Sequence, residues 1–114
     1  MAQPHDVPTA AQLVAAVREF LRDDVLPAAE GRVRFHTRVA INVLAMVERE
    51  IELGPDQAAE HAARLAALGV ADDAELAAAV RAGRFDGDDA LTAALVQAVR
   101  AKLEVADPGY LQRP

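Results

Sequence analysis

Apolar positions recur along this chain at helical spacing, and the longest such pattern runs from Arg32 to Gly54. At about 100° per residue, Phe35, Val39, Val43, Met46, Val47, Ile51 and Leu53 fall on one broad arc. Ala40 and Leu44 extend that arc, whereas Ile41 and Ala45 fall on the side expected to be wet. A helix apolar around most of its circumference is usually the middle of a bundle, with neighbours on several sides. Gly54-Pro55 reads as its stop, because glycine takes the left-handed cap conformation and proline cannot continue the ladder.

Shorter patterns flank this one. Thr9-Ala10-Ala11-Gln12 fits a capping box and opens a first helix carrying Leu13, Val14, Val17, Phe20, Leu21 and Val25, which should end before Pro27. The short link Pro27 to Gly31 favours antiparallel packing of the first two helices. A third helix is expected from about Pro55 to Leu68, with Ala58, Ala62, Leu65 and Leu68 inward and Gly69 closing it. Asp72 starts a short fourth helix with Leu76, Ala79 and Val80 facing inward, and Gly83 stops it. Asp88 can cap a fifth, from about Asp89 to Ala106, with Leu91, Leu95, Val99 and Leu103 at i, i+4, i+8 and i+12. Residues 1–8 read as an irregular arm and 107–114 as a tail. The expected fold is all-α: one domain over 1–114, a bundle of about five helices with a long central second helix.

Composition narrows the function classes. The chain has 114 residues and a formal net charge of −6, and Lys102 is the one lysine among its 12 basic residues. An acidic chain without a basic block argues against nucleic acid and against an anionic membrane surface as partners. No apolar run is long enough to span a bilayer, and the first residues show neither a basic n-region nor an apolar h-region, so the cytoplasm is the default location. The absence of cysteine excludes disulfides and thiolate chemistry. Alanine-rich helices pack closely and leave little room for a large cofactor, so none is expected. Self-association is compatible with such a bundle.

The polar residues hardest to explain as surface lie on the central helix. His36 falls inside the apolar arc, and Arg38, Asn42 and Arg49 form a stripe along its edge. One reading is structural: the arginines pair with acids on adjacent helices and Asn42 bonds a loop carbonyl, because an unpaired buried charge is costly. The other is an anion pocket, with guanidinium groups for a phosphate or carboxylate, an amide for orientation and a nearby imidazole. No His or acid stands three or four residues from His36, so helical metal spacing is missing. The three aspartates of Arg84–Asp89 lack the EF-hand pattern, and Phe85 is most simply an anchor for that loop. There is no serine, no phosphate loop and no H-E-x-x-H motif, so the balance leans away from catalysis.

Three stretches together resemble a bacterial family of small helical domains of unknown function. They are Pro8 to Pro55, with EFL…VLP…EGR…FH.RVA.N as its most distinctive part; AAVRAGRFDG at Ala78 to Gly87; and VRAKLEVADPGY at Val99 to Tyr110. The resemblance covers nearly the whole chain, and Arg32, Phe35, His36, Arg38 and Asn42 match the family's pattern. It implies a setting beside, or fused to, phosphotransferase-like proteins of the aminoglycoside or choline kinase type, and near acyl-CoA dehydrogenase-type genes. It transfers no catalytic residue. The leading expectation is therefore a non-catalytic accessory or interaction domain with such a partner, contacted through Arg38, Asn42, Arg49 or the Phe85 loop. The alternative is a domain that binds a small anion, or a minor enzyme, using His36, Arg38 and Asn42.

Overall fold

In the computed structural model, which describes residues 7–113, the capping box of Thr9 opens the first helix: the Thr9 hydroxyl accepts from the Gln12 N–H, and the Gln12 side chain accepts from the Thr9 N–H. The elements in order are α1 (Ala10–Phe20), a π turn (Leu21–Val25), a 3-10 turn (Leu26–Ala28), α2 (Gly31–Ala67), α3 (Asp73–Arg81), α4 (Asp89–Ala106) and a 3-10 turn (Pro108–Gln112). The described residues are all-helical, without strands, and the second helix is the long one.

Four α-helices stand where about five were expected, because Gly54-Pro55 does not stop the second. α2 is continuous over 37 residues with Pro55 inside it. The stop signal rests on a left-handed glycine, and Gly54 is not one; the positive-φ glycines are Gly31, Gly69, Gly83 and Gly87. The clash that drives a pre-proline residue out of the helical region involves that residue's Cβ. Gly54 has none, so the pair lets the helix through at the cost of one backbone hydrogen bond.

The chain divides into two compact units, Met1–Leu53 and Gly54–Pro114. In the first, α1 runs antiparallel to the N-terminal part of α2. The Arg18 guanidinium is paired with the Glu48 carboxylate, and Thr9 and Ala15 share a groove with Glu48, Ile51 and Glu52. The π turn spreads the chain ahead of Pro27. Arg34 then donates to the Leu26 carbonyl at 2.6 Å, which also accepts from the Ala29 N–H, and so ties the start of α2 to the turn before it. Glu48 and the buried Thr37, whose hydroxyl returns to the Val33 carbonyl, mark the side of α2 that faces α1.

That side is not the one the apolar arc indicates. Ile41 and Ala45, expected in water, are half-buried together with Leu44. Phe35, Val39, Val43, Met46 and Ile51, expected in the core, are exposed, Phe35 by 62% and Val43 by 50%. A helix apolar on all sides gives no azimuthal information, so its pattern alone cannot choose which face a single neighbour covers.

The second unit is closed by glycines. Gly69 (φ +77°) ends α2 in a Schellman motif, with Val70 N–H on the Leu65 carbonyl and Gly69 N–H on the Ala66 carbonyl. The two hydrophobic residues of that motif, Leu65 and Val70, are buried. Gly83 repeats the device at the end of α3, through Arg84 and Ala79. Asp72 and Asp88 cap α3 and α4. Gln57 donates to the Ala101 carbonyl at 2.9 Å and sets α4 alongside the last turns of α2. Val80, expected inward, is exposed.

Candidate functional site

Residues 31–47 of α2 carry the features most distinctive of this chain. Gly31, at φ +57°, turns the chain into the helix. Arg32, Arg34, His36 and Arg38 follow, and no acid occurs before Glu48. Three arginines and a histidine without a compensating acid make a basic segment in a chain of net charge −6. The positive end of the helix dipole adds to it, and the first turn contains no acidic residue to offset it. Arg34 is committed to the Leu26 carbonyl; Arg32, His36 and Arg38 are exposed.

Two surfaces flank this segment. One is a shallow groove of about 350 Å³ lined by Leu21 from the π turn and by Arg32, Val33, His36, Thr37 and Ala40. The other is the exposed ridge Phe35, Val39, Val43 and Met46, at i, i+4, i+8 and i+11. The Phe35 and His36 rings meet edge to face, with centroids 5.3 Å apart and planes at 78°. This contact places the imidazole at the border between groove and ridge.

The residues singled out from the sequence do not converge. His36 lines the groove, but Arg38, two residues on, leaves the helix about 160° away, and Asn42 leaves about 120° away. All three are exposed, so the seal of acids and carbonyls expected from a structural reading is not what surrounds them. The reason is the azimuth of the helix: α1 packs on the Thr37–Glu48 side and leaves theirs open. Arg49 is half-buried. Phe85 is buried, with the Arg84 guanidinium 5.2 Å from its ring centroid, and Arg84 also reaches the Leu68 carbonyl. As a contact residue Phe85 is therefore covered by its own loop.

Among the described residues, the resolved pKa shifts fall on two pairs of the first unit, the part-buried Arg18–Glu48 and the exposed Arg22–Asp23. The Glu48 carboxylate holds the Arg18 guanidinium above its ordinary pKa through a direct hydrogen bond. Arg22 donates to Asp23 at 2.8 Å and lowers that carboxyl below its usual range. Glu48 borders the groove between α1 and α2, but its partner is the Arg18 guanidinium, and both shifts are those of ordinary ion pairs.

Sequence reading passes over one further arrangement, in the second unit. His61 Nε2 lies 2.8 Å from Asp73 Oδ1, and both line a small cavity among α2, α3 and α4 together with Arg64. Its residues come from three helices, and the one local signal is the i, i+3 spacing of His61 and Arg64. Among the described residues no group of three or more His, Asp or Glu side chains is placed to hold a metal.

No curated protein and no solved structure matches the chain. A family model does, over residues 27–110, from the proline ahead of α2 to the tyrosine of the last turn. That match takes in the basic segment, the exposed ridge and the second unit as far as Tyr110, but omits α1. The chain belongs to the family described as Domain of unknown function (DUF6285).

Proposed function

We propose that this domain is a helical protein-interaction module that docks an acidic amphipathic helix of a partner along residues 31–47 of α2. The observation that carries the reading is the exposed ridge Phe35–Val39–Val43–Met46 beside a segment whose charged residues are all basic. Contiguous exposed apolar side chains rimmed by polar groups mark interaction surfaces. A ridge at i, i+4, i+8 and i+11 is the complement of a partner helix packed lengthwise. Arg32, His36 and Arg38 select for carboxylates at its edge and against basic partners. The resemblance supplies the partner class: a phosphotransferase-like or acyl-CoA dehydrogenase-type protein.

The test is co-expression with such a protein from the same operon, followed by size-exclusion chromatography with light scattering. Co-elution at fixed stoichiometry is expected, as is its loss on Val39→Asp or Val43→Asp with helical content unchanged by circular dichroism. Separate elution of the wild-type proteins at micromolar concentration overturns the reading. Elution of the chain alone as a dimer that Val43→Asp splits assigns the ridge to a second copy instead.

A further inference from the structure

We infer that α4 is a self-association surface: its exposed face packs antiparallel on the same face of a second copy, about a two-fold axis that passes between Leu95 and Val96. This surface lies in the second unit and is separate from the ridge of α2, so the inference stands or falls without the docking reading.

The face comes from the pattern of α4. Leu91, Leu95, Val99 and Leu103 recur every fourth residue, but the fold covers them unequally. Leu91 and Leu103 are half-buried, whereas Leu95 is exposed by 49%, Val99 by 58% and the neighbouring Val96 by 62%. At about 100° per residue, Thr92, Leu95, Val96 and Val99 share an arc of about 100°. The side chains that meet the rest of the unit leave the helix elsewhere. Ala94 and Ala98 face the leucines of α2 and α3, and Ala101 shares a groove with Ala63 of α2. Contiguous apolar side chains left in water mark an interaction surface.

Charge decides what covers it. Asp88 and Lys102 both lie on the Leu95 edge of the arc, about 40° apart around the helix and about 21 Å apart along it. Asp88 caps α4 by accepting from the Ala90 N–H at 2.8 Å, and it has no ion pair among the described residues. Lys102, exposed and the one lysine of the chain, has none either. An acidic partner helix would be repelled at Asp88 and a basic one at Lys102. A second copy turned end for end suits both. The two residues lie nearly equidistant, about 10 Å, from the midpoint between Leu95 and Val96, so Asp88 of each chain comes level with Lys102 of the other. The two-fold keeps them on the same edge, and it also sets Thr92 opposite Val99 and Leu95 opposite Val96. A parallel pair would instead bring like charges level. Exposed ion pairs add little energy, but they select orientation. One helix packed on one helix is smaller than a standard interface, so the dimer should be weak, with a Kd of about 10–100 µM.

Sedimentation equilibrium of the full chain from about 1 to 500 µM provides the test, with monomer expected at the bottom of that range and mostly dimer at the top. Val96→Asp should raise the Kd by at least about tenfold with helical content unchanged, and Val43→Asp should leave it as it is. Lys102→Glu sets an acid level with Asp88 at both ends of the interface and should raise the Kd by about tenfold. The chain has no cysteine, so Thr92→Cys and Val99→Cys variants report the orientation. Mixed in a glutathione buffer, they should form disulfides with each other in preference to themselves, because only facing positions bring the Cβ atoms close enough. Four results overturn the inference: a monomer throughout the range, a dimer of unchanged Kd in folded Val96→Asp, a dimer of unchanged Kd in Lys102→Glu, or disulfides mainly between like variants. A dimer that Val43→Asp splits and Val96→Asp does not is the second of these and belongs to the ridge of α2.

Discussion

The two units meet the same demand, hiding apolar helix faces, with different success. In the second, Leu65, Val70 and Phe85 are buried, and two Schellman turns and two aspartate caps bond the helix ends. Among the described residues of the first, Thr37 alone is buried, while Leu13, Val17, Phe20, Phe35, Val39 and Val43 are exposed. The difference follows from geometry. Two antiparallel helices can cover only one stripe of each other, and α2 is apolar on more than one stripe. Three helices joined by tight turns can enclose a small core. Stability should therefore reside in the second unit, and binding capacity in the first.

Five measurements break or sharpen this contrast. The largest effect is expected from Leu65→Ala, which removes a buried side chain and should cost about 2–4 kcal/mol in urea unfolding. Val43→Ala on the exposed ridge should cost less than about 1 kcal/mol. Equal costs would mean that the ridge is buried in the free protein and would remove the contrast. Next is Pro55→Ala, which restores a backbone donor inside α2. A stabilisation of about 1–3 kcal/mol is expected, since proline in a helix interior costs about 3 relative to alanine. No gain would mean that the proline relieves strain at that point.

Gly69→Ala follows, at about 1–2 kcal/mol of destabilisation. The residue is left-handed, and an added Cβ would sit 3.0 Å from the Arg84 guanidinium. Gly54→Ala meets no neighbour within 4 Å, so its effect isolates the pre-proline clash from packing. The smallest effect concerns Asp23. Its carboxyl is lowered in the folded chain by the hydrogen bond from Arg22. The stability this contributes is present above the ordinary carboxyl pKa and is lost as pH falls through the lowered value. Arg22→Met should return the Asp23 titration, followed by carboxyl NMR, toward its usual range and leave neutral-pH stability nearly unchanged.

What was legible in the sequence was local. Thr9, Asp72 and Asp88 cap the helices they were expected to cap, and Gly69 ends α2, because each signal needs only three or four adjacent residues. Gly54-Pro55 misled for the same reason. Each residue alone reads as a terminator, yet the absence of a Cβ on the first is what lets the second pass. The azimuth of α2 was not legible, since Ile41 and Phe35 are equally apolar and only the position of α1 tells them apart. The cluster of Arg64, His61 and Asp73 was invisible because two helices, α2 and α3, build it. The basic segment from Arg32 to Arg38 was legible and was hidden by the net charge of the whole chain.

Pro55 has a kinetic consequence as well. Because it carries no N–H, the carbonyl of Ile51 lacks its rung in the ladder, and fraying at that level breaks one hydrogen bond fewer than anywhere else in the helix interior. Deuterium should therefore enter the amides flanking Pro55 sooner than those near Leu44. A glutamate-specific protease should make its first cut in α2 after Glu52, an exposed side chain three residues before the gap.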